Sequence, residues 1–281
     1  MSYNEETQAN ISLKEKCYGY QEVENRFLDV DKPVILHLDG RSFSRMVKKK
    51  FERPFDKQFR NMMDSTAKYL CEKVQGAVMA YVQSDEISLI LRKPSPEGTI
   101  FFNGRICKIQ SIAAAMASGV FNKAALLEKL FSNMDESVLD GQPYTYDEAM
   151  KLVEESPLYE FDCKAWNVPD DNAAMAWILF RNIDCIRNSK LQFAQSYLEG
   201  FKHRCEGLTS DEQIELTLKE TGHDWNSVED GFKYGRFVTK QEIEMTREET
   251  GEKFTRNKFV ISEGYPLTIP ENREKLKQII F

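Results

Sequence analysis

The chain has 281 residues, a hydrophobic content of 41% and a formal net charge of −7. That length allows one large domain or two small ones, and the composition is that of a globular protein able to bury a core. No run of 18 or more apolar residues occurs, and the N-terminal "MSYNEETQAN" has neither a basic start nor an apolar signal core. No membrane span or secretory leader is therefore expected, and the cytoplasm is the expected compartment. Six scattered cysteines with no C-x-x-C pair, and only three histidines, speak against a zinc site and against a disulfide scaffold.

In chain order, "KPVILHLDGRSF" predicts a strand over Val34–Leu38 that puts Val34, Leu36 and Leu38 on one face and Ile35, His37 and Asp39 on the other. Asp39-Gly40 ends it, and His37 is expected to be a hydrogen-bonded structural histidine. Arg41–Arg60, "RSFSRMVKKKFERPFDKQFR", holds eight basic residues against two acidic ones. This is a local positive patch, able to serve phosphates, in an otherwise acidic chain. Apolar residues at Phe55, Phe59, Met62, Met63, Ala67, Leu70 and Cys71 then predict a helix, with Asp56 as its N-cap and Gly76 at its close.

Val78–Leu91, "VMAYVQSDEISLIL", reads as a hairpin around a polar knot, Gln83-Ser84-Asp85-Glu86. "RICKIQSIAAAMASGVFNKAALLEKLF" predicts a long helix with Gly119 as a candidate break, followed by a polar, acidic insert over 132–156. "YEFDCKAWNV" is strand-like, a helix starts at about Asp171, and another covers Ser210–Thr221. "GRFVTK" and "KFVIS" are strand-like again. The order strand, helix, hairpin, helix predicts an α+β fold, a mainly antiparallel sheet with helices packed on one face, plus a C-terminal α/β extension. The division expected is a catalytic region over 1–131, the insert, and a C-terminal region over 157–281.

If the strands ending at Asp39 and turning at Asp85-Glu86 are neighbours, three carboxylates meet at one sheet edge. They repel one another unless protonated or bridged by a divalent cation, and oxygen ligands without Cys or His favour Mg²⁺ or Mn²⁺. Gly40 would let a carbonyl or a phosphate approach the ion. Two metals on carboxylates beside a basic patch are apparatus for phosphoryl or nucleotidyl transfer. Each residue also has a plain reading, because Asp-Gly and Ser-Asp-Glu are ordinary turn sequences.

The strings "HLDGRSFSRM", "RPFD", "AYVQSDEISLIL" and "GRICKIQSIAAAMAS", in this order and spacing, resemble the tRNA-His guanylyltransferase family, most of all its bacterial-type Thg1-like members. The likeness is strong over Lys32–Asn122, weaker over Glu160–Gln192, and fades beyond. It implies a polymerase-palm-like domain that adds nucleotides to the 5′ end of tRNA in the 3′–5′ direction, ATP and GTP or other NTPs as substrates, and a homotetramer. By resemblance, Asp39 and Asp85 are side-chain ligands of two Mg²⁺ ions, with Mn²⁺ as the alternative, the Gly40 carbonyl is also on a metal, and Glu86 is the neighbouring acid. Arg41, Ser42, Phe43 and Ser44 would wrap a triphosphate through backbone amides, with Ser84 in the same site, and Asp56 would read a base edge. Arg105, Lys108 and Lys164 match residues that hold a second triphosphate. Arg181, Asp184 and Asn188 match a later nucleotide-binding segment, and Lys48, Lys49 and Lys50 would touch tRNA.

Two departures stand out. Ser44 replaces a family histidine near the phosphates, and "CIRNSKLQ" replaces the eukaryotic C-H-I-N-N-L-Y-N. They favour templated repair of 5′-truncated tRNA over the addition of a single guanylate. The competing classes are a palm-fold nucleotide cyclase and a catalytically silent tRNA-binding protein, and the second would have no use for the carboxylates.

Overall fold

The computed structural model describes residues 13–22, 25–43, 50–137, 145–247 and 251–281. Six strands, β1 (Val34–Gly40), β2 (Ala77–Gln83), β3 (Glu86–Leu91), β4 (Phe161–Asn167), β5 (Arg236–Thr246) and β6 (Lys253–Glu263), form one antiparallel sheet in the order β4-β1-β3-β2-β5-β6. The helices among the described residues are α1 (Leu13–Glu22), α2 (Lys57–Lys73), α3 (Ile106–Ser137), α4 (Tyr146–Glu154), α5 (Asp171–Tyr197), α6 (Phe201–Arg204), α7 (Ser210–Thr221), α8 (Asp230–Lys233) and α9 (Pro270–Ile280). None of them is long and apolar enough to cross a membrane.

Strand alternation divides the core in two. Val34, Leu36, Leu38, Ala80, Val82, Ile87 and Leu89 point to one face and pack on Met63 and Leu70 of α2 and on Ile109 and Phe121 of α3. Ile35, Met79, Tyr81, Ile90 and Phe237 point to the other and meet Ala174, Met175 and Ile178 of α5 and Leu276 of α9. The first two predicted helices share one face as expected, and the C-terminal extension covers the opposite one. Both faces being buried explains why β2 and β3 read as nearly continuous apolar runs.

Asp56 caps α2, its Oδ1 accepting the Phe59 N–H at 2.7 Å. Gly119 does not break α3, because an exposed helical glycine costs only about 1 kcal/mol against alanine, and nothing lies within 4 Å of a Cβ built there. The helix runs on to Ser137, into the expected insert. The end of that insert folds as α4, started by a reciprocal capping box between Thr145 and Glu148. α9 has no counterpart among the predicted elements. Pro270 marks its first turn, but Leu276 is its one buried side chain, so its apolar periodicity is thin. β5 and β6 run further than "GRFVTK" and "KFVIS" suggest. Only Arg236–Thr239 pair with β2, and beyond them the two strands pair with each other mostly through exposed polar and charged residues.

Candidate active site

The antiparallel pairing of β1 with β3 sets Asp39 opposite Glu86, and the pairing of β1 with β4 sets Asp39 opposite Asp162. All three project from the sheet face that α5 covers, because they share the parity of Ile35 and Ile90. Ser84 and Asp85 form the tight turn between β2 and β3, where Ser84 takes a positive φ of 44°. The Gly40 N–H donates to the Asp85 carbonyl at 3.1 Å and ties the end of β1 to this turn. Gly40 is glycine for a steric reason, since a Cβ there would lie 2.6 Å from the Phe43 ring. Phe43 is buried beneath the strand end among Phe59, Phe121, Tyr159 and Phe161, so the loop after β1 is anchored from below.

Burial pushes the Asp85 carboxyl up to about 6; the Ser84 hydroxyl, bonded to it at 2.9 Å, opposes the shift, and the charges of Asp39 and Glu86 add to it. Burial raises Asp39 as well, reinforced by Glu86 and Asp162. Among the described residues neither Asp39 nor Asp85 has an Arg or Lys partner. Glu86 differs. Its two oxygens receive Arg181 Nη2 at 2.9 and 2.7 Å, and Oε2 also accepts Gln83 Nε2 at 2.8 Å. Arg181 holds Asp184 at 2.8 Å, and Asp184 in turn accepts Asn188 Nδ2 at 3.2 Å. The fold thus neutralises Glu86 and leaves the pair Asp39 and Asp85 uncompensated, the state in which a carboxylate gains most from a bound cation. Among the described residues no three His, Cys, Asp or Glu side chains are grouped to hold a metal by themselves. Two carboxylates and a carbonyl, completed by water and phosphate oxygens, is a donor set that suits Mg²⁺, which keeps several waters.

His37 behaves as expected of a structural histidine. Its Nδ1 lies 3.0 Å from Ser88 Oγ, which also accepts Trp177 Nε1–H at 3.1 Å. Burial lowers its pKa to about 4, helped by Arg181, so it is neutral at pH 7. Next to the carboxylates a pocket of about 150 Å³ is lined by Asp56, Ser84, Asp85, Glu86, Asn188 and Gln192, with Phe55 and Phe232 among its walls. Asp56 opens onto this pocket while both its oxygens already accept backbone N–H groups, from Phe59 at 2.7 Å and from Glu52 at 2.8 Å.

Several expected residues are placed differently. The Arg41 amide donates to the Glu160 carbonyl at 2.8 Å and its guanidinium pairs with the Glu160 carboxylate at 2.7 Å, so both are already engaged within the chain. Lys57 pairs with Glu229 at 2.6 Å, and Arg60 with Glu229, Glu263 and Asp64, which leaves the Arg41–Arg60 segment less positive than its sequence count. Lys50 is exposed, while Ser44, Lys48 and Lys49 lie outside the described residues. Lys164 is exposed on β4 opposite His37, on the carboxylate face.

Arg105 and Lys108 do not join the carboxylates. They start α3 at the far end of the hairpin, where Phe101 N–H donates to Gln75 O and Arg92 N–H to Gly76 O. Ser118 of α3 accepts the N–H of Phe161, the residue opposite Gly40. From 105 to 118, at about 1.5 Å per helical residue, the separation from the carboxylate end is about 20 Å. Sequence reasoning passed over Asp162, although "FDCKAWNV" alternates so that Asp162, Lys164 and Trp166 share a face.

A helix-backed antiparallel sheet that carries carboxylates at the end of one strand and in the adjoining hairpin turn defines a palm-type nucleotidyl-transfer fold. The chain belongs to the tRNAHis guanylyltransferase family, whose model matches residues 15–169, and whose members are nucleotidyltransferases. It is similar to an uncharacterized protein of Acanthamoeba polyphaga mimivirus, 27% identical over 221 residues, covering 74% of this chain and 70% of that protein. It is also similar to the tRNA(His) guanylyltransferase of Saccharomyces cerevisiae, 25% identical over 219 residues, covering 74% of this chain and 82% of the yeast protein. With tRNA(His) guanylyltransferase 2 of Arabidopsis thaliana it shares 36% identity over 89 residues, 31% of this chain and 16% of that one. Among solved structures, a bacterial tRNA(His) guanylyltransferase (Thg1)-like protein in complex with ATP superposes with a TM-score of 0.76 at 21% identity, covering 96% of this chain and 100% of the other. The yeast enzyme superposes with a TM-score of 0.61 at 21% identity, over 79% and 91% of the two chains. At these identities the structural likeness is one of fold.

Proposed function

We propose that the protein adds nucleotides to the 5′ end of tRNA in the 3′–5′ direction, as a template-dependent repair activity. The observation that carries this is the pair Asp39 and Asp85, half-buried, raised in pKa and without a cationic partner among the described residues, at the strand ends of a palm-type sheet in a chain of this family. Asp39 and Asp85, with the Gly40 carbonyl, would hold divalent ions, Mg²⁺ first among them. When bound, such ions stabilise charge on the attacking and leaving oxygens of an in-line displacement. The chain's own groups then bind and orient. The Ser42 and Phe43 amides would receive incoming phosphates, and the Arg181–Glu86–Gln83 bonds hold the base of the hairpin turn so that Asp85 stays aimed. A bacterial relative has been solved with ATP and with GTP, which supports nucleoside triphosphates as substrates here.

In a repair reaction the opposing base of the acceptor stem chooses the nucleotide. With 5′-truncated tRNAs that differ only at the unpaired 3′-strand base, the labelled nucleotide incorporated is expected to follow that base. Addition of one guanylate whatever base stands opposite would refute the repair reading. It would also remove any significance from Ser44 and "CIRNSKLQ".

The working unit in this reading is a homotetramer. Along α3, Arg105 stands about 20 Å and Lys108 about 15 Å from the carboxylate end of their own chain, by the helical rise above, so they would serve a 5′ end held by another copy. Pooling several subunits' basic residues also reconciles RNA binding with the charge of −7. Light scattering at micromolar concentration is expected to show an assembly, and a species of 32.6 kDa would count against it.

A further inference from the structure

The outward face of α5 carries an aromatic residue that neither the core nor the carboxylate site accounts for. Phe180 is 54% exposed, and Ile183, 47% exposed, and Arg187, also exposed, continue its stripe at spacings of three and four residues. The hidden side of Phe180 is braced. The Arg181 guanidinium lies 5.1 Å from its ring centre while holding Glu86, and Trp177 stands 5.7 Å away. Trp177 is itself wedged against Trp166 at 4.8 Å and His37 at 5.4 Å, two residues from Asp39 on the same strand face. A ring fixed in this way loses little conformational entropy when something stacks on its open side.

The charges around it point to the partner. Lys164, two residues from Trp166 on β4 and opposite His37, and Arg187, two turns further along α5, are both exposed, and neither has an ion-pair partner among the described residues. Acidic neighbours are present too, Asp162 on β4 and Asp184 on α5, but Asp184 is held by Arg181. A braced, half-exposed ring near two cations unpaired among the described residues, close to the Asp39 edge, has the composition of a base-stacking platform with phosphate contacts.

We infer that Phe180 stacks on a base at the 5′ end of the RNA while Lys164 and Arg187 take the flanking phosphates. This rests on the tRNA reading above and adds to it the contact that seats the end of the duplex.

The test is tRNA binding without NTPs, using RNA with 2-aminopurine as its 5′-terminal nucleotide. Phe180→Ala is expected to weaken binding roughly 10- to 100-fold, as removal of a stacking aromatic does, and Phe180→Trp to retain it. At saturating protein, 2-aminopurine fluorescence is expected to be quenched with the wild type and Phe180→Trp and to recover with Phe180→Ala. ATP affinity and sedimentation mass should stay unchanged in both variants. Equal RNA affinity, or equal quenching, in the wild type and Phe180→Ala would overturn the platform and leave the tRNA reading standing. A drop in mass that accompanied the loss of affinity would reassign Phe180 to a contact between copies and overturn it too. Wild-type protein that bound no tRNA would remove both.

Discussion

Asp85→Asn is expected to abolish nucleotide addition and, above pH 6 in chelator, to make the protein more stable. Both follow from one placement. Asp85 sits at a crowded, half-buried turn where its charge is unwelcome, and its carboxyl is pushed up to about 6 from the usual aspartate value of 3.8. Asp85 binds its proton more tightly folded than unfolded, so folding is favoured at low pH and loses stability as pH rises from about 4 through 6. A difference of about two pH units is worth on the order of 2–3 kcal/mol. Asparagine keeps the shape without the charge and recovers part of that. In the proposed function the same change would remove an anionic ligand, and with it the means of binding a cation whose charge stabilisation would be worth several kcal/mol in the reaction. Asp39→Ala is expected to be inactive for the same reason. Thermal melts from pH 4 to 8 in chelator, together with addition assays in Mg²⁺, check both halves. More than a tenth of wild-type activity in either variant, a cost below about 1.4 kcal/mol, or a melting temperature of Asp85→Asn below the wild type at pH 7, would remove Asp85 from the role assigned to it.

Addition to 5′-monophosphorylated tRNA is expected to require ATP besides the nucleotide being added, whereas addition to 5′-triphosphorylated tRNA is not. A 5′-monophosphate offers no leaving group better than water. Adenylylation by ATP releases pyrophosphate and forms a phosphoanhydride. The 3′-hydroxyl of the incoming NTP then attacks the 5′-phosphorus, gives up its proton and expels AMP. A 5′-triphosphate already carries pyrophosphate and enters at the second step. In the proposed function both steps use the Asp39 and Asp85 edge, so Asp39→Ala should stop both routes. Equal addition to monophosphorylated tRNA with and without ATP, measured with a labelled NTP, would contradict the two-step course.

Much of the fold and part of the site are legible in the amino-acid sequence itself. Val34–Leu38, the "VMAYVQSDEISLIL" hairpin, the Asp56 cap and the helix from Asp171 are local, written in alternation and capping that neighbouring residues decide. Asp39 and Asp85 stand out for the same reason, as acidic residues where apolar strands stop. What the sequence leaves open is longer in range. Whether Asp162 belongs to the site depends on β4 lying beside β1, a pairing across more than 120 residues. That Arg181 is spent on Glu86, 95 residues away, and so leaves Asp39 and Asp85 as the uncompensated pair, requires α5 to settle on the sheet. Arg105 and Lys108 match their motif and still stand apart from the carboxylates, because Ile109, Ala113, Ala117 and Phe121 fix the direction of α3 across the sheet. Apolar burial says that a helix must cover a face, and local periodicity says which side of the helix does so. The angle, the direction and the strand neighbours come only from packing the whole chain into one closed core, and those are what turn scattered charges into a site.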